Sequence, residues 1–192
     1  MDGEKRCAWA QDACALYQSY HDREWGVPCH DDQRLFEMLV LESFQAGLSW
    51  LTILKKREAF RLAFDGFDPQ KVAAYGEEKI GRLLQDASIV RSNGKIRAAV
   101  HNARVFLQIQ REAGSFDRYL WGFTHGQTLR EPGEMGLTRT ALSDALAADL
   151  KRRGMKFMGS VTAYAYLQAV GVVDGHETQC FCSAGAEKEA HA

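Results

Sequence analysis

The sequence predicts an all-α fold. Hardly any stretch alternates apolar and polar residues with the period of two that is typical of a half-buried strand, whereas caps, glycines and prolines divide the chain into segments of helical length. With 192 residues, of which 46% are hydrophobic, the chain is long enough to bury a substantial core. We therefore expect a single domain over residues 1–182, as one body or two closely packed helical lobes, and a small, polar, disordered tail at 183–192.

Helix boundaries can be predicted in chain order. Residues 7–27 are rich in aromatics without a clean period, which predicts a short helix or an irregular segment. Asp31 or Asp32 can cap the next helix, which Gly47 ends, and Ser49 can then open a helix to about residue 64. Further helices are expected at 69–75, 77–87, 93–113, 116–121, 144–153 and 161–170, with a long loop at 124–140.

The stretch at 39–50, LVLESFQAGLSW, places polar side chains where a core helix would have only apolar ones. Glu42 is enclosed at helical spacing by apolar residues, and Gln45 lies one turn after it. A buried, unpaired carboxylate must find a partner or keep its proton, so its pKa must differ from that of a surface glutamate. With the Trp50 indole nearby, these groups suit a pocket for a flat heterocycle, including a cationic one. The alternative is a carboxylate that caps a neighbouring helix or pairs with a core arginine.

Charge and composition restrict the class of protein. The formal net charge is −1, so any nucleic-acid binding must depend on a local basic patch rather than on overall charge. The start, MDGEKRCAW, has no apolar signal region, and no apolar run reaches the roughly 20 residues of a membrane helix. We therefore expect a cytoplasmic protein without a membrane partner. A chain of this size can cover its own core, which favours a monomer.

Two helix–turn–helix junctions carry positive charge beside a tight turn. At the first, a helix stopped by Gly154 is joined by GMKFMG to a helix that Ser160 can cap. Glycines at both ends of this connection let backbone NH groups point outward, where they could hold a DNA phosphate. The candidate DNA-binding residues at this junction are Lys151, Arg152, Arg153, Gly154, Lys156 and Gly159.

The second junction, QDASIVRSNGKIR, lies in the most basic window of the chain. Residues 79–104 carry six Lys or Arg against one Asp, and Arg91 and Lys95 are candidate DNA contacts there. The alternative for the first junction is an ordinary αα-hairpin, and the alternative for the second is a solvated helix face.

The two ends of the chain carry residues suited to a metal. The odd number of cysteines, five, indicates reduced thiols or metal ligands rather than a disulfide framework. We predict a candidate ligand set of two thiols and two imidazoles, which suits a tetrahedral zinc: Cys7, His21, His176 and Cys180. Such a zinc would be structural, because no coordination position stays open for a water. Rival ligands are His30, Cys14, Cys29 and Cys182, and the remaining alternative is a set of thiols and histidines with no metal.

Several long motifs resemble the signature blocks of a known family. They are CAWAQDACALYQSYHDREWGVP, LFEMLVLESFQAGLSWLTILKKRE, FDPQKVA, LLQDASIVRSNGKI and DLKRRGMKFMGSVTAYAYLQAVGVVDGH, in order between residues 7 and 180. The family is that of 3-methyladenine DNA glycosylase I, in the helix–hairpin–helix superfamily. The length of YHDREWG and QAGLSW argues against agreement by chance.

The resemblance implies an all-helical enzyme that flips N3-methyladenine out of alkylated double-stranded DNA and hydrolyses its N-glycosidic bond. The products would be an abasic site and free 3-methyladenine. By position, the structural zinc of the family, one per chain, falls on Cys7, His21, His176 and Cys180. The base pocket falls on Tyr20, Trp25, Glu42 and Trp50, with Trp9 as a further lining residue, and Glu42 is the expected catalytic residue. No lysine in these motifs matches a Schiff-base nucleophile, so we expect a monofunctional glycosylase.

Three departures from the family pattern fall on turns expected to contact DNA. Ser88 replaces a glycine after QDA, Ser160 stands where proline is common, and Asp174-Gly175 replaces an Asn-Asp pair before the histidine. Two rival functions also remain open. One is a non-catalytic protein that binds alkylated DNA or the free base, and the other is a zinc-stabilised helical interaction module in which Glu42 belongs to a core ion pair.

Overall fold

The computed structural model describes residues 4–183, which fold mostly into helices. The helices in this range are α1 (Ala8–Gln11), α2 (Ala15–Arg23), α3 (Asp32–Gln45), α4 (Trp50–Ala63), α5 (Pro69–Ala73), α6 (Glu77–Gln85), α7 (Asn93–Ala113), α8 (Phe116–Gly122), α9 (Ala141–Arg152) and α10 (Ser160–Ala169). Two 3-10 helices, Asp65–Phe67 and Gly133–Met135, and two short strands, β1 (Leu129–Arg130) and β2 (Val173–Asp174), complete the described elements. None of the helices described is both long and apolar enough to cross a membrane.

The starts of the first long helices follow the cap chemistry of the sequence. Asp31 caps α3 by accepting a hydrogen bond from the Arg34 amide at 2.8 Å. Ser49 caps α4 through the Thr52 amide at 3.2 Å. The segment at 7–27, for which one short helix or an irregular stretch was expected, forms both α1 and α2.

Two boundaries near the hairpin differ from the sequence-based expectation. α9 begins at Ala141 rather than at residue 144, because Thr140 and Ser143 form a reciprocal capping box. α10 begins at Ser160 with Gly159 as its N-cap residue, so the expectation that Ser160 caps this helix is wrong. Ser160 itself is helical, and the first turn of α10 therefore has no side-chain cap.

The buried centre of the fold is α3. Its residues from Leu35 to Phe44 are all buried, as in a helix surrounded by protein on every side. Helices α4, α7, α8 and α10 pack against it, and a connected cluster of aromatic and aliphatic side chains fills the space between them. Two glutamates, Glu37 and Glu42, lie within this buried stretch. Each must therefore either find a partner or keep its proton.

A short parallel strand pair joins the long loop to the C-terminal segment. Leu129 of β1 pairs with Val173 of β2, and Arg130 pairs with Asp174. The sequence predicts only a loop at 124–140, because strands this short give no alternation signal. The pair anchors the segment that leads to His176.

Ser183, the first residue of the predicted tail, is packed against the fold. Ser183 is buried, and its Oγ lies 2.8 Å from the Arg130 Nη2 donor, so the described chain is packed up to this residue. Residues 184–192, the rest of the predicted tail, lie outside the described residues.

Candidate active site and metal cluster

A cavity of about 140 Å³ lies between the N-terminal helices, α3, α4 and α10. Aromatic rings, one carboxyl and two carboxamides form its walls. The lining residues are Trp9, Tyr17, Tyr20, Trp25, Glu42, Gln45, Trp50, Ala165 and Gln168. The residues that the family resemblance assigns to the base pocket therefore all lie around this cavity.

Glu42 is the buried acidic group of the cavity. The residue is only 4% exposed, and its Oε2 atom has no hydrogen-bond partner among the described residues. Burial raises the pKa of its carboxyl from an ordinary value of 4.5 to about 8. The carboxyl therefore favours its protonated form at neutral pH, and a neighbouring cation would favour its ionised form.

The core arginine of this region pairs with a different glutamate. Arg57 Nε donates to Glu37 Oε1 at 2.6 Å, and Arg57 Nη1 donates to Glu24 Oε2 at 2.7 Å. Glu37 thus occupies the core ion pair that was the alternative for Glu42. The Glu42 carboxyl has no such partner within residues 4–183.

Aromatic side chains enclose the cavity. The Tyr20 and Trp50 rings lie 5.4 Å apart, and the Trp9 and Trp25 rings meet edge to face at 5.1 Å. The Trp50 Nε1 atom is buried and donates no hydrogen bond to the described residues, so this donor is available to a bound molecule. Burial, followed by the nearby Glu42, raises the pKa of the Tyr20 hydroxyl well above its ordinary value, which keeps it a neutral donor.

Three lining residues are absent from the sequence-based site, namely Tyr17, Ala165 and Gln168. Helical spacing from Glu42 places Gln45 in the predicted pocket, whereas Gln168 comes from a distant helix. A Cβ on Gly175 would lie 2.3 Å from Gln168 Nε2 and 3.1 Å from Trp25 Cη2. Gly175, one of the departures from the family pattern, thus leaves room for the Gln168 amide in the cavity wall.

Metal-ligating side chains from both ends of the chain meet beside the aromatic cavity. The ligand atoms of His21, His176, Cys180 and Cys182 all lie within 4.8 Å of one another. Three of the four predicted ligands belong to this group, and Cys182, one of the rivals, takes the place expected for Cys7. The other rival ligands, His30, Cys14 and Cys29, are not part of this group in the described chain.

Cys7 lies at the edge of this group. Its Sγ accepts a hydrogen bond from the Glu177 amide at 3.3 Å, and its thiol interacts with that of Cys180. The Cys180 Sγ likewise accepts from the Cys182 amide at 3.4 Å, whereas the Cys182 Sγ donates to the Asp22 carbonyl oxygen at 3.8 Å. Burial raises the pKa of the Cys7 thiol to about 12, against the opposing effect of the Glu177 amide, so this thiol must lose its proton when it binds a metal.

Carboxylates orient both histidines of the cluster. His21 Nδ1 lies 2.8 Å from Asp22 Oδ1, and His176 Nδ1 lies 2.8 Å from Asp174 Oδ1. These contacts suit a proton on each Nδ1, which leaves each Nε2 as an acceptor. The His21 Nε2 accepts from the Cys7 amide at 3.4 Å and lies 3.5 Å from Cys180 Sγ. The His176 Nε2 atom is buried without a hydrogen-bond partner in the described chain, as expected of a ligand atom. Burial also lowers the pKa of His21, which favours the neutral ring that a metal binds.

Residues 153–159 form the connection between α9 and α10, here called the hairpin. The backbone amides of residues 157–160 donate no hydrogen bond to an acceptor within the described chain. Lys151 and Lys156 are exposed beside them, as is Gly159. Free amides and unpaired lysines together form a surface that suits a phosphate group.

Two of the predicted DNA-binding arginines are engaged within the protein. Arg152 and Arg153 both pair with Asp149, and Arg153 Nη1 also donates to Glu112 at 2.5 Å. The Arg153 guanidinium lies over the Tyr119 ring, 5.2 Å from its centre. Arg153 therefore holds α9 to α7 and α8, whereas Arg152 pairs, among the described residues, only within α9, and its side chain is 73% exposed.

Of the two candidate DNA contacts at the second basic junction, one is engaged within the protein and one is exposed. Lys95 Nζ donates to the carbonyl oxygen of Phe44 at 2.8 Å and to that of Ala46 at 2.5 Å. It therefore satisfies the carboxyl-terminal end of α3, the helix that carries Glu42. Arg91 is exposed and stays a candidate for a phosphate.

Known proteins match this chain along nearly its whole length. The family model described as methyladenine glycosylase matches residues 9–183. The chain is 48% identical over 189 residues to DNA-3-methyladenine glycosylase 1 of Escherichia coli, covering 94% of this chain and 98% of that protein. It is 40% identical over 180 residues to DNA-3-methyladenine glycosylase of Haemophilus influenzae, covering 92% and 97%.

Solved structures match the fold. A crystal structure of 3-methyladenine DNA glycosylase I superposes with a TM-score of 0.88 at 47% identity, covering 93% of this chain and 99% of that chain. A structure of the Staphylococcus aureus 3-methyladenine DNA glycosylase I, concerned with recognition of 3-methyladenine, superposes with a TM-score of 0.87 at 39% identity. It covers 91% of this chain and 94% of that chain.

The helical fold, the open aromatic cavity with its buried carboxyl and the close relatives together identify a DNA glycosylase. Glycosylases of this kind are hydrolases of N-glycosyl bonds. The chain belongs to the methyladenine glycosylase family.

Proposed function

We propose that the protein excises N3-methyladenine from alkylated double-stranded DNA by hydrolysing the N-glycosidic bond, which leaves an abasic site. The observation that carries this proposal is the buried, unpartnered carboxyl of Glu42 in an aromatic cavity. By their names, the relatives described above act on the same base. A further structure, of a single-site variant of 3-methyladenine DNA glycosylase I in complex with 3-methyladenine, supports the choice of ligand.

Selection of the damaged base is the main task of such an enzyme. Methylation at N3 gives adenine a formal positive charge, which makes it a good leaving group. A cation beside Glu42 offsets the cost of ionising that carboxyl, and it also gains from the faces of Tyr20 and Trp50. Neutral adenine gains neither contribution, yet it pays roughly a few kcal/mol to leave the base stack. The cavity therefore favours the methylated base once it is flipped out of the duplex.

Each group of the cavity then has a role in the reaction. Ionised Glu42 stabilises the cationic base and can accept the proton of the water that attacks C1′. The electrons of the broken C1′–N9 bond return to the base, which leaves uncharged. The Tyr20 hydroxyl and the Trp50 Nε1 supply donors to the base, while the rings of Trp9 and Trp25 close the wall.

The cavity supports a monofunctional reaction. Its lining contains no lysine, so the described residues supply no amine there to attack C1′ and form a Schiff base. The DNA strand would therefore stay intact after the base leaves. Nicked DNA that appears without alkali or heat would contradict this part of the proposal.

For DNA, we propose a helix–hairpin–helix contact through the hairpin. The free amides of residues 157–160 would face a phosphate, with Lys151, Lys156 and Gly159 around it and Arg91 at the second junction. Arg152, Arg153 and Lys95 would support these elements through their bonds within the protein.

We also propose that Cys7, His21, His176 and Cys180 hold one structural zinc. The amide bonds to the Cys7 and Cys180 sulfurs and the carboxylate bonds to both histidines support this set. Bound there, zinc would tie the segment before α2 to the segment after β2. With four protein ligands, it would contribute stability rather than a reactive water.

The test is chromatography of the bases released from dimethyl-sulfate-treated duplex DNA. We expect release of 3-methyladenine with little N7-methylguanine. If folded, zinc-loaded protein released no base but its tryptophan fluorescence were quenched by free 3-methyladenine, the non-catalytic binding protein would be the better account. Neither release nor quenching would favour the interaction module.

A further inference from the structure

A buried asparagine of α7 binds the backbone of the hairpin. Asn102 is 0% exposed. Its Nδ2 donates to the Lys156 carbonyl oxygen at 2.8 Å, and its Oδ1 accepts from the Lys156 amide at 2.9 Å. The carboxamide thus pairs with both polar groups of one hairpin residue, as a neighbouring strand would. The preceding residue of α7 adds a third contact, between His101 Nε2 and the Gly154 carbonyl oxygen at 2.9 Å.

These contacts act on a turn whose backbone conformation is costly. Gly154 has φ +96° and Phe157 has φ +58°, in the left-handed region that a phenylalanine rarely adopts. Such a conformation persists only where surrounding contacts determine it. Asn102 fixes the residue immediately before Phe157, so its two hydrogen bonds help to offset the cost of that turn.

The outer face of the hairpin presents backbone amides and an exposed aromatic ring. The Phe157 ring is 44% exposed and lies near Gly94 of the second basic junction, where a Cβ would be 3.7 Å from the ring. The amides of residues 157–160 follow directly after the fixed Lys156 peptide. An apolar side chain could fill the volume of Asn102 but could not orient that peptide, because it lacks both a donor and an acceptor.

We propose that Asn102 is a positioning residue for DNA binding, which shapes the hairpin so that the amides of residues 157–160 converge on a phosphate. Asn102 itself is buried and does not touch DNA. This inference rests on the proposed function, because its ligand is the backbone of the substrate duplex. It adds a residue outside the cavity, and outside the basic motifs, to those that determine substrate binding.

The test is Asn102→Leu, which keeps the number and branching of the side-chain heavy atoms and removes both hydrogen bonds. We expect its affinity for duplex DNA to fall about tenfold at fixed salt, the loss expected for one charge-assisted contact. The slope of log affinity against log salt should fall by about 1. Quenching by free 3-methyladenine and the excision rate at saturating DNA should stay near the wild-type values.

A matched control lies on the same helix. Gln110 Nε2 donates to Asp32 Oδ2 at 2.6 Å, away from the hairpin. Gln110→Leu should lower the melting temperature without changing the affinity for DNA. If Asn102→Leu does not fold, His101→Leu removes the third contact and should weaken DNA binding by about threefold.

Two results would overturn the inference while leaving the proposed function intact. The first is wild-type DNA affinity in a folded Asn102→Leu protein, or in His101→Leu if that variant alone folds. The second is an equal loss of free-base and DNA binding, which would mark Asn102 as a general structural residue. By contrast, failure of the wild-type protein to release any base would overturn the proposed function itself.

Discussion

The folded state favours the protonated form of the Glu42 carboxyl over the ionised form. Its pKa of about 8 exceeds the ordinary 4.5, so the folded state binds this proton more tightly than the unfolded chain does. The corresponding stability is fully present below pH 4.5, and it is lost as the pH rises through about 8. The ionised form that costs stability is the form that a cationic base would favour, which places stability and function in opposition at one residue.

Glu42→Gln should therefore stabilise the protein in a pH-dependent way. The free energies of unfolding of variant and wild type should be closest below about pH 4.5, where the carboxyl is protonated in both the folded and the unfolded state. The gap should widen by about 1.4 kcal/mol for each pH unit up to about 8. Urea denaturation at several pH values measures this. The exposed Glu78→Gln serves as the control, and a gap that does not change with pH would contradict the burial argument.

Trp50 offers a ring and a donor that can be separated. Trp50→Phe keeps an aromatic face but loses the buried Nε1, whereas Trp50→Leu loses both. If a cation lies over this ring, Trp50→Leu should lower the rate of 3-methyladenine release about tenfold more than Trp50→Phe does. Single-turnover kinetics on methylated duplex DNA give the comparison. Equal rates for the two variants would mean that the ring face does not contribute.

At the level of the helix, α3 ends beside the cavity with its last carbonyl groups held by Lys95. Lys95→Met should lower the free energy of unfolding by about 1 kcal/mol, since it removes a cation from a helix carboxyl terminus. It should leave the salt dependence of DNA binding unchanged, while Arg91→Ala should reduce it. A reduced salt slope in Lys95→Met would instead identify this lysine as a phosphate contact.

The segments before α2 and after β2 are joined at the metal cluster. Zinc at this cluster would close a loop of most of the chain, which should contribute several kcal/mol to stability. We expect Cys7→Ser to lose the zinc and to melt at a lower temperature, and Cys182→Ser to keep about one equivalent.

Elemental analysis and thermal melts of these variants test the ligand set, with the exposed Cys14→Ser as control. Loss of zinc from Cys182→Ser, with retention in Cys7→Ser, would assign the fourth position to Cys182. Less than about half an equivalent in the wild type would contradict a stoichiometric site.

For the whole molecule, local signals in the sequence account for most of the fold. Caps such as Asp31 and Ser49 act on their own helices, and α7 spans the predicted residues 93–113. The strand pair could not be predicted, because a pair of two-residue strands is stabilised by its neighbours rather than by a pattern of its own.

Sequence signals predict the members of the candidate site but not all of their contacts. Sequence motifs predict Glu42 and its aromatic neighbours as site residues because these residues belong to long motifs of unusual composition. A sequence does not show which charges find partners across space, so Arg153 and Lys95 could be predicted as basic but not as engaged within the protein. The Gln168 amide enters the cavity wall only because Gly175 leaves it room.

Nearly neutral overall charge sets the manner of DNA binding for the whole protein. With a formal net charge of −1, the attraction cannot come from the molecule as a whole, and we propose that it comes from the hairpin and the second junction. We therefore propose that the protein uses two separable surfaces: a local phosphate contact, shaped from within by Asn102, and a cavity in which ionised Glu42 recognises the base.

The most direct test of the central role of Glu42 is the pH dependence of kcat/KM for 3-methyladenine release, measured for the wild type and for Glu42→Gln. We expect the wild-type value to rise with pH until about 8, where the Glu42 carboxyl of the free enzyme is ionised. The variant should be slower by about a hundredfold or more, and it should lack that rise. A variant that releases the base at the wild-type rate, with the wild-type pH profile, would contradict the account.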